Sequence, residues 1–233
     1  AFSAQASVTA RNFDWDNNIA TLQTKLVLFD SRTGEAKDFT TAEFAIANGH
    51  LGEKGTPYEF LEFRMKADKN GLSSMKYYGD GPSGENYFLE QLTDTMATQK
   101  PAQWQGPVWD EFVSALSNPV SAREVTIITA RGHDPANILA ALKTLQDKGF
   151  IRYLPELEHI YAVTNPKIGG SAVAPAETKA RIIQTLLDKL NARPLSEGPE
   201  LEVLDAAGEK LRPIHQWDFS DDDHKNTEKA FEL

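Results

Sequence analysis

Two aspartates one residue apart, Asp14 and Asp16, sit in the stretch NFDWDNN (residues 12–18), directly after an apolar run. Strands avoid aspartate. If a strand does run into the pair, its period of two points both carboxylates to one face. There they repel unless a cation lies between them or one is protonated, so the pair is either a turn or half of a site. Other residues able to do chemistry stand just past later apolar runs. Thr129, Arg131 and His133 follow EVTIIT, and Asp221, Asp222 and Asp223 follow IHQWDFS, with Lys179 between them in PAETKARII. Carboxylates from separated segments, a hydroxyl and an ammonium on one rim suit a hard cation such as Mg²⁺, which takes few carboxylates and keeps waters and a phosphate oxygen. The same inventory suits phosphoryl transfer, whose main needs are positioning and charge neutralisation.

The elements that must carry these residues are legible in the spacing. A strand over 7–13 ends at the aspartate pair. The segments ATLQTKLVLFD and EAKDFTTAEFA flank Ser31-Arg32-Thr33-Gly34, a hairpin with glycine available for positive φ. Thr40 and Glu43 have capping-box spacing and predict a short helix. Residues 48–84 show no clean period beyond a strand over 59–65, and helical spacing returns at 85–98 and 107–116. The β-branched run at 124–129 predicts a buried parallel strand. It leads through ARGHDPA into a helix over 137–148, closed by Gly149. A short strand over 159–164, a helix over 175–191 and a last strand over 214–219 complete the chain. Strands alternating with helices predict an α/β fold with a doubly wound parallel sheet, where ligands sit at the carboxyl ends of the strands.

Composition narrows the functions. At 233 residues the chain is most simply one domain with an insertion. A formal charge of −10 argues against nucleic acid and against an anionic membrane surface as partners. There is no cysteine, which excludes thiolate nucleophiles, zinc–thiolate sites and disulfides. No apolar run approaches the ~18 residues of a membrane span. The first six residues, AFSAQA, end in Ala4-Gln5-Ala6, the A-x-A form of a signal-peptidase site. They read as the remnant of an export signal and imply a periplasmic or secreted protein; without that reading the protein is cytoplasmic.

FDWDNN, VTIITARGH, ETKARII and HQWDFSDDD, in that order, resemble the four motifs of the haloacid dehalogenase-like (HAD) superfamily of phosphatases. The resemblance covers Phe13 to about Asn226. It implies a HAD-like Rossmannoid core over 7–44 and 119–233, with a β-hairpin flap at about 20–40 and an inserted cap over 45–118 between the first two motifs. It implies that Asp14 is the nucleophile, accepting the phosphoryl group as an aspartyl-phosphate, and that Asp16 is the general acid/base. Thr129, Ala130, Arg131 and Lys179 would meet the phosphate, with Lys179 neutralising its charge. Asp14, the backbone carbonyl of Asp16, Asp221 and Asp222 would hold Mg²⁺. The implied partner is a small phosphorylated metabolite, handled by a monomer or small homo-oligomer. The chain departs from the family at Asn18, where Thr or Val is usual.

Several choices stay open on the sequence alone. Lys167 in TNPKIGG competes with Lys179 as the third-motif lysine, and Asp223 and Asn226 compete as metal ligands. Arg131 and His133 either touch substrate or pack the loop. Trp15 packs beneath the site or approaches substrate, and His215 reads as a core residue. Asp30 and Arg32 belong to a hairpin rather than to a nucleophile motif. Arg64, Lys76, Tyr77 and Tyr78 are cap candidates for substrate contact. The function expected first is a Mg²⁺-dependent phosphomonoester hydrolase. A phosphotransferase or mutase with the same site, and a HAD-like binding module without turnover, are the alternatives.

Overall fold

A computed structural model describes residues 9–68, 71–165, 175–192, 203–204, 210–211 and 216–222. Along the chain, β1 (Thr9–Phe13) is followed by β2 (Leu26–Asp30), β3 (Ala36–Phe39), helix α1 (Thr41–Asn48) and β4 (Leu61–Glu62). A single 3₁₀ turn at Lys76–Tyr78 precedes α2 (Tyr87–Thr98), α3 (Pro101–Trp104), α4 (Trp109–Ala115) and α5 (Pro119–Ala122). Then come β5 (Val125–Thr129), α6 (Pro135–Asp147), β6 (Ile160–Ala162) and α7 (Pro175–Asn191). The strands β7 (Val203–Leu204), β8 (Lys210–Leu211) and β9 (Gln216–Ser220) close the described chain.

Four strands form a parallel sheet in the order β6-β5-β1-β9. The run VTIIT of β5 is buried at every position, as a strand covered on both faces must be. Alternation sorts its side chains. Val125 and Ile127 join Phe13 in the main core, with Phe88 and Leu92 of α2, Phe112 of α4 and Leu142 of α6. Ile128 points the other way, to Val163 and Ile183 of α7, with Trp217 and Phe219 of β9 alongside. Helices therefore cover both faces. After β6 the chain returns to the opposite side of β1 as β9, so the strand order reverses between β1 and β9. In parallel sheets the crevice at such a reversal is where ligands bind. The register pairs Phe13 with Ser220, which brings the carboxyl ends of β1 and β9 side by side.

A separate antiparallel sheet, β3-β2-β4, carries the expected hairpin. Gly34 supplies φ +74° in the turn, and Asp30 accepts hydrogen bonds there from the backbone and side chain of Arg32. This is the turn role expected of that pair. Thr40 and Glu43 form a reciprocal capping box at the start of α1. Leu28, Phe39 and Ala47 make the small core of this layer.

Boundaries differ from the sequence expectation where side chains take over backbone bonds. The strand expected over 59–65 shortens to Leu61–Glu62, because the Ser74 hydroxyl accepts from the Arg64 N–H and ends the ladder. The helix expected from 137 starts at Pro135, with Asp134 accepting from the Ala136 N–H and proline in the first turn. The helix expected from 85 starts at Tyr87, because Asn86 caps it. Residues 1–8, and with them the Ala4-Gln5-Ala6 motif, lie outside the described residues. Among the described residues, no helix is long and apolar enough to cross a membrane.

Trp15 lies fully buried, edge-on to Phe88 at 5.0 Å and to Phe112 at 6.4 Å. Of its two expected places, the structure gives it the one beneath the aspartates. It also shows that α2 and α4, within the stretch 45–118 expected as an inserted cap, are continuous with the main core. Gly106 N–H donates to Ile19 O, and a Cβ at Gly106 would lie 2.1 Å from the backbone oxygen of Asn18. That approach locks the loop after Asp14 and Asp16 against the insertion. Gly106→Ala is expected to cost roughly 1–3 kcal/mol in urea unfolding, because backbone has to move. Gly49→Ala, at φ −71° with open space around it, is the control and should change stability by less than about 0.5 kcal/mol. Equal effects of the two would refute the locking contact.

Candidate active site

β1 ends at Phe13, and the next backbone N–H, that of Asp14, donates to Ser220 O at 2.8 Å. Asn18 then ties the loop to β9. Its Nδ2 donates to Ser220 O at 2.8 Å, and its Oδ1 accepts from Ser220 Oγ at 3.0 Å. The turn is tight enough to put Asn17 at φ +56°, a conformation asparagine tolerates better than most residues. Ile19 and Ala20 N–H both donate to Trp15 O. Asn18 thus cross-links two neighbouring strand ends with both amide atoms used. A β-branched residue in its place would lose one or both of those bonds.

Three parts of the chain far apart in sequence meet just above that cross-link. Lys179, in the first turns of α7, lies 2.9 Å from Asp14 Oδ1 and 2.6 Å from Asp221 Oδ2. Asp14 is only 4% exposed and Lys179 2%, and the Asp221 side chain is fully buried. Asp222 adds an exposed carboxylate, and one oxygen from each of Asp14, Asp221 and Asp222 lies within 4.8 Å of the others. Burial pushes the Asp14 carboxyl up to about 7, with the charges of Asp221 and Asp16 adding to the rise and Lys179 opposing it. Burial works against the charge of Lys179, but Asp14 and Asp221 outweigh it and hold the ammonium above its usual range. Apart from the ammonium, Asp14 Oδ1 is buried with no hydrogen-bond donor among the described residues. The cluster sets Asp222 beside the two carboxylates that share the ammonium. Its donors are all hard oxygens, and that set fits a divalent cation of the Mg²⁺ type.

Asp16 faces elsewhere. Arg131 Nε donates to its two oxygens at 3.1 and 3.0 Å, and Nη2 donates to Oδ1 at 2.6 Å. The carboxylate of Asp16 is therefore not among the three that converge with Lys179. Thr129 ends β5 fully buried on the same rim, and its Oγ1 accepts from Arg131 N–H at 3.3 Å. Ala130 is exposed, its carbonyl accepting from Thr164 Oγ1 at 2.9 Å. Arg131 and His133 are both fully buried. Arg131 is engaged with protein groups, and the His133 ring stands edge-on to Phe88 at 5.4 Å. Burial, and after it the Arg131 charge, pushes His133 down to about 3.

Of the cap candidates, Tyr78 comes nearest to Asp16. Its ring lies 5.1 Å from Arg131 Cζ, and burial followed by the Asp16 charge raises its hydroxyl above the usual range. Its carbonyl accepts from Gly132 N–H at 2.7 Å, which seats the 3₁₀ turn on the loop after β5. Arg64 instead pairs with Glu62 and stacks on Phe29. Lys76 lies over Tyr77 and Tyr87, and Tyr77 OH donates to Asp38. Lys167, His215, Asp223 and Asn226 lie outside the described residues. Sequence reasoning missed Thr24 and Gln91, which hold Arg131, and the Asn18–Ser220 pair. A threonine before a hairpin and a glutamine on a helix carry no signal of such a role. No family model matches the chain, and no curated protein or solved structure matches it.

Two stability measurements probe these electrostatics. Lys179→Met leaves Asp14 and Asp221 buried without their counter-charge, so a loss of about 3–5 kcal/mol is expected at pH 7. The loss should shrink as pH falls below about 7, where the Asp14 carboxyl takes up a proton and no longer needs the ammonium. A loss that does not depend on pH would overturn this account. For His133 the unfolded chain binds a proton below the ordinary value near 6.5, while the folded chain refuses it until about 3. The residue therefore costs stability increasingly as pH falls through that window, and nothing above it. His133→Phe should be more stable relative to wild type at pH 4.5 than at pH 7, by roughly 2 kcal/mol. The same difference at both pH values would exclude a buried neutral histidine.

Proposed function

We propose that the protein is a HAD-like, Mg²⁺-dependent phosphomonoester hydrolase that works through a phosphorylated Asp14. The observation that carries this reading is the Lys179 ammonium set between Asp14 at 2.9 Å and Asp221 at 2.6 Å, at the strand-order reversal of a parallel sheet. Supporting it are the third carboxylate, Asp222, in reach of the other two, and Thr129 at the neighbouring strand end.

The chemistry follows from charge. A carboxylate is a weak nucleophile towards a phosphate dianion, and its own negative charge repels the group it must attack. Lys179 removes part of that repulsion, and being buried it does so where water screens least. Asp14, Asp221 and Asp222 are the residues that would hold Mg²⁺, which when bound neutralises the rest and orients the phosphoryl oxygens. Asp14 Oδ then forms a bond to phosphorus while the bond to the leaving oxygen breaks and that oxygen takes a proton from Asp16. In the second half, Asp16 takes a proton from water, the water oxygen bonds to phosphorus, and the Asp14–phosphorus bond breaks. Thr129 Oγ1 and the backbone around Ala130 hold the phosphoryl oxygens meanwhile. The substrate class is a small phosphomonoester, since the reacting carboxylate is almost wholly enclosed.

A second reading is favoured by the Arg131 contacts to both oxygens of Asp16. In that reading the acid–base step is disabled, and the protein binds a phosphorylated ligand without turning it over. The discriminating assay is hydrolysis of an aryl phosphate with Mg²⁺. Wild type should turn over, EDTA should abolish turnover, and Asp14→Asn should lower kcat by more than about 100-fold. Undiminished Mg²⁺-dependent turnover by Asp14→Asn would refute the phospho-Asp14 reading. Inert wild type with intact metal binding would favour the binding module.

A further inference from the structure

Arg131 makes a buried network that neither the metal cluster nor the phosphate contacts require. All three guanidinium nitrogens are engaged. Nε and Nη2 reach Asp16, Nη2 also donates to Thr24 Oγ1 at 2.7 Å, and Nη1 donates to Gln91 Oε1 at 3.0 Å. Thr24 Oγ1 in turn donates to Gln91 Oε1 at 2.6 Å, and Gln91 Nε2 donates to Tyr77 O at 2.7 Å. Gln91 Oε1 thus accepts from both Arg131 and Thr24, while the Thr24 hydroxyl both accepts and donates. The rings of Tyr78 and Phe88 lie 5.1 and 5.2 Å from Arg131 Cζ. A planar group bonded at every nitrogen and flanked by rings has one orientation.

We propose that Arg131 is a positioning residue for Asp16, and that Thr24 and Gln91, both in the chain between β1 and β5, set its orientation. The proposal rests on the reading of Asp16 as the acid–base. The Asp16 side chain is 29% exposed, so one edge opens toward the rim while the other is gripped by a fully buried fork. A carboxylate on a loop would otherwise sample several rotamers, and misplacement by about 1 Å can cost a factor of 100 in rate. Lysine cannot replace the fork, because a point charge on a flexible stem fixes no plane. The segment between β1 and β5 thereby controls the proton-transfer group through Thr24 and Gln91.

This role makes a demand that a merely structural role does not. A displaced proton donor penalises an alkyl leaving group, which must be protonated, far more than a nitrophenolate, which needs no proton. The experiment compares kcat and KM of the full chain with Mg²⁺ on a simple alkyl phosphate and on 4-nitrophenyl phosphate, for wild type, Arg131→Lys, Thr24→Val, Thr24→Ser and Gln91→Leu. Arg131→Lys should lower kcat/KM, which reports only the steps up to phospho-Asp14, by about 100-fold on the alkyl ester and by less than about 5-fold on the nitrophenyl ester; kcat also contains the water step common to both. Thr24→Val, which keeps shape and loses the hydroxyl, should show the same selectivity at about 10-fold, and Thr24→Ser should restore it. If Arg131→Lys does not fold, Thr24→Val and Gln91→Leu carry the comparison. Equal losses of kcat/KM on both esters would overturn the positioning role while Asp14 dependence stands. A wild type inert on both esters would overturn the phosphatase reading and this proposal with it.

Discussion

One ammonium shared by two buried carboxylates governs how this protein is put together. Lys179 meets Asp14 and Asp221 only if α7 packs on one face of the sheet while β1 and β9 lie side by side. A buried aspartate without a counter-charge is costly, so those placements depend on one another. The sheet meets the demand with apolar contacts on that face, Ile128, Val163 and Ile183, which hold α7 at the height where its lysine reaches the strand ends. Asp222 brings a third carboxylate within reach of that pair. Three convergent carboxylates make a set of hard oxygen donors, and that property underlies the proposed chemistry.

The two aspartates of the first motif are separated by the loop that carries them. Trp15, between them, is drawn into the core by Phe88 and Phe112. The residues on either side therefore turn to different partners, Asp14 to Lys179 and Asp16 to Arg131. A like-charge pair that would repel on a straight strand becomes two carboxylates with separate counter-ions. Asn18 and Gly106 keep that arrangement, one by bonding to Ser220 and the other by letting backbone approach backbone.

Much of the fold was legible because the relevant signals are local. The run VTIIT could only be a buried strand, the helix Pro175–Asn191 was bounded by its own proline and asparagine, and Thr40 with Glu43 wrote a capping box into four residues. Misplaced boundaries came from side chains that replace backbone partners, such as Ser74 for Arg64 and Asp134 for Ala136. These substitutions depend on which loop lies opposite, and no window of sequence holds that information.

The sequence by itself supplied the candidate groups and their order: Asp14, Asp16, Thr129, Lys179 with Lys167 as its rival, and the acids from Asp221 to Asp223. Residue type and the period of the flanking runs decide those, and both are properties of short segments. Tertiary structure alone decided the pairing. It gave Lys179 to Asp14 and Asp221, gave Arg131 to Asp16, and recruited Thr24 and Gln91 to hold the arginine. Counter-ions are chosen by distance in space, and residues separated by more than a hundred positions become neighbours only when the sheet closes its register.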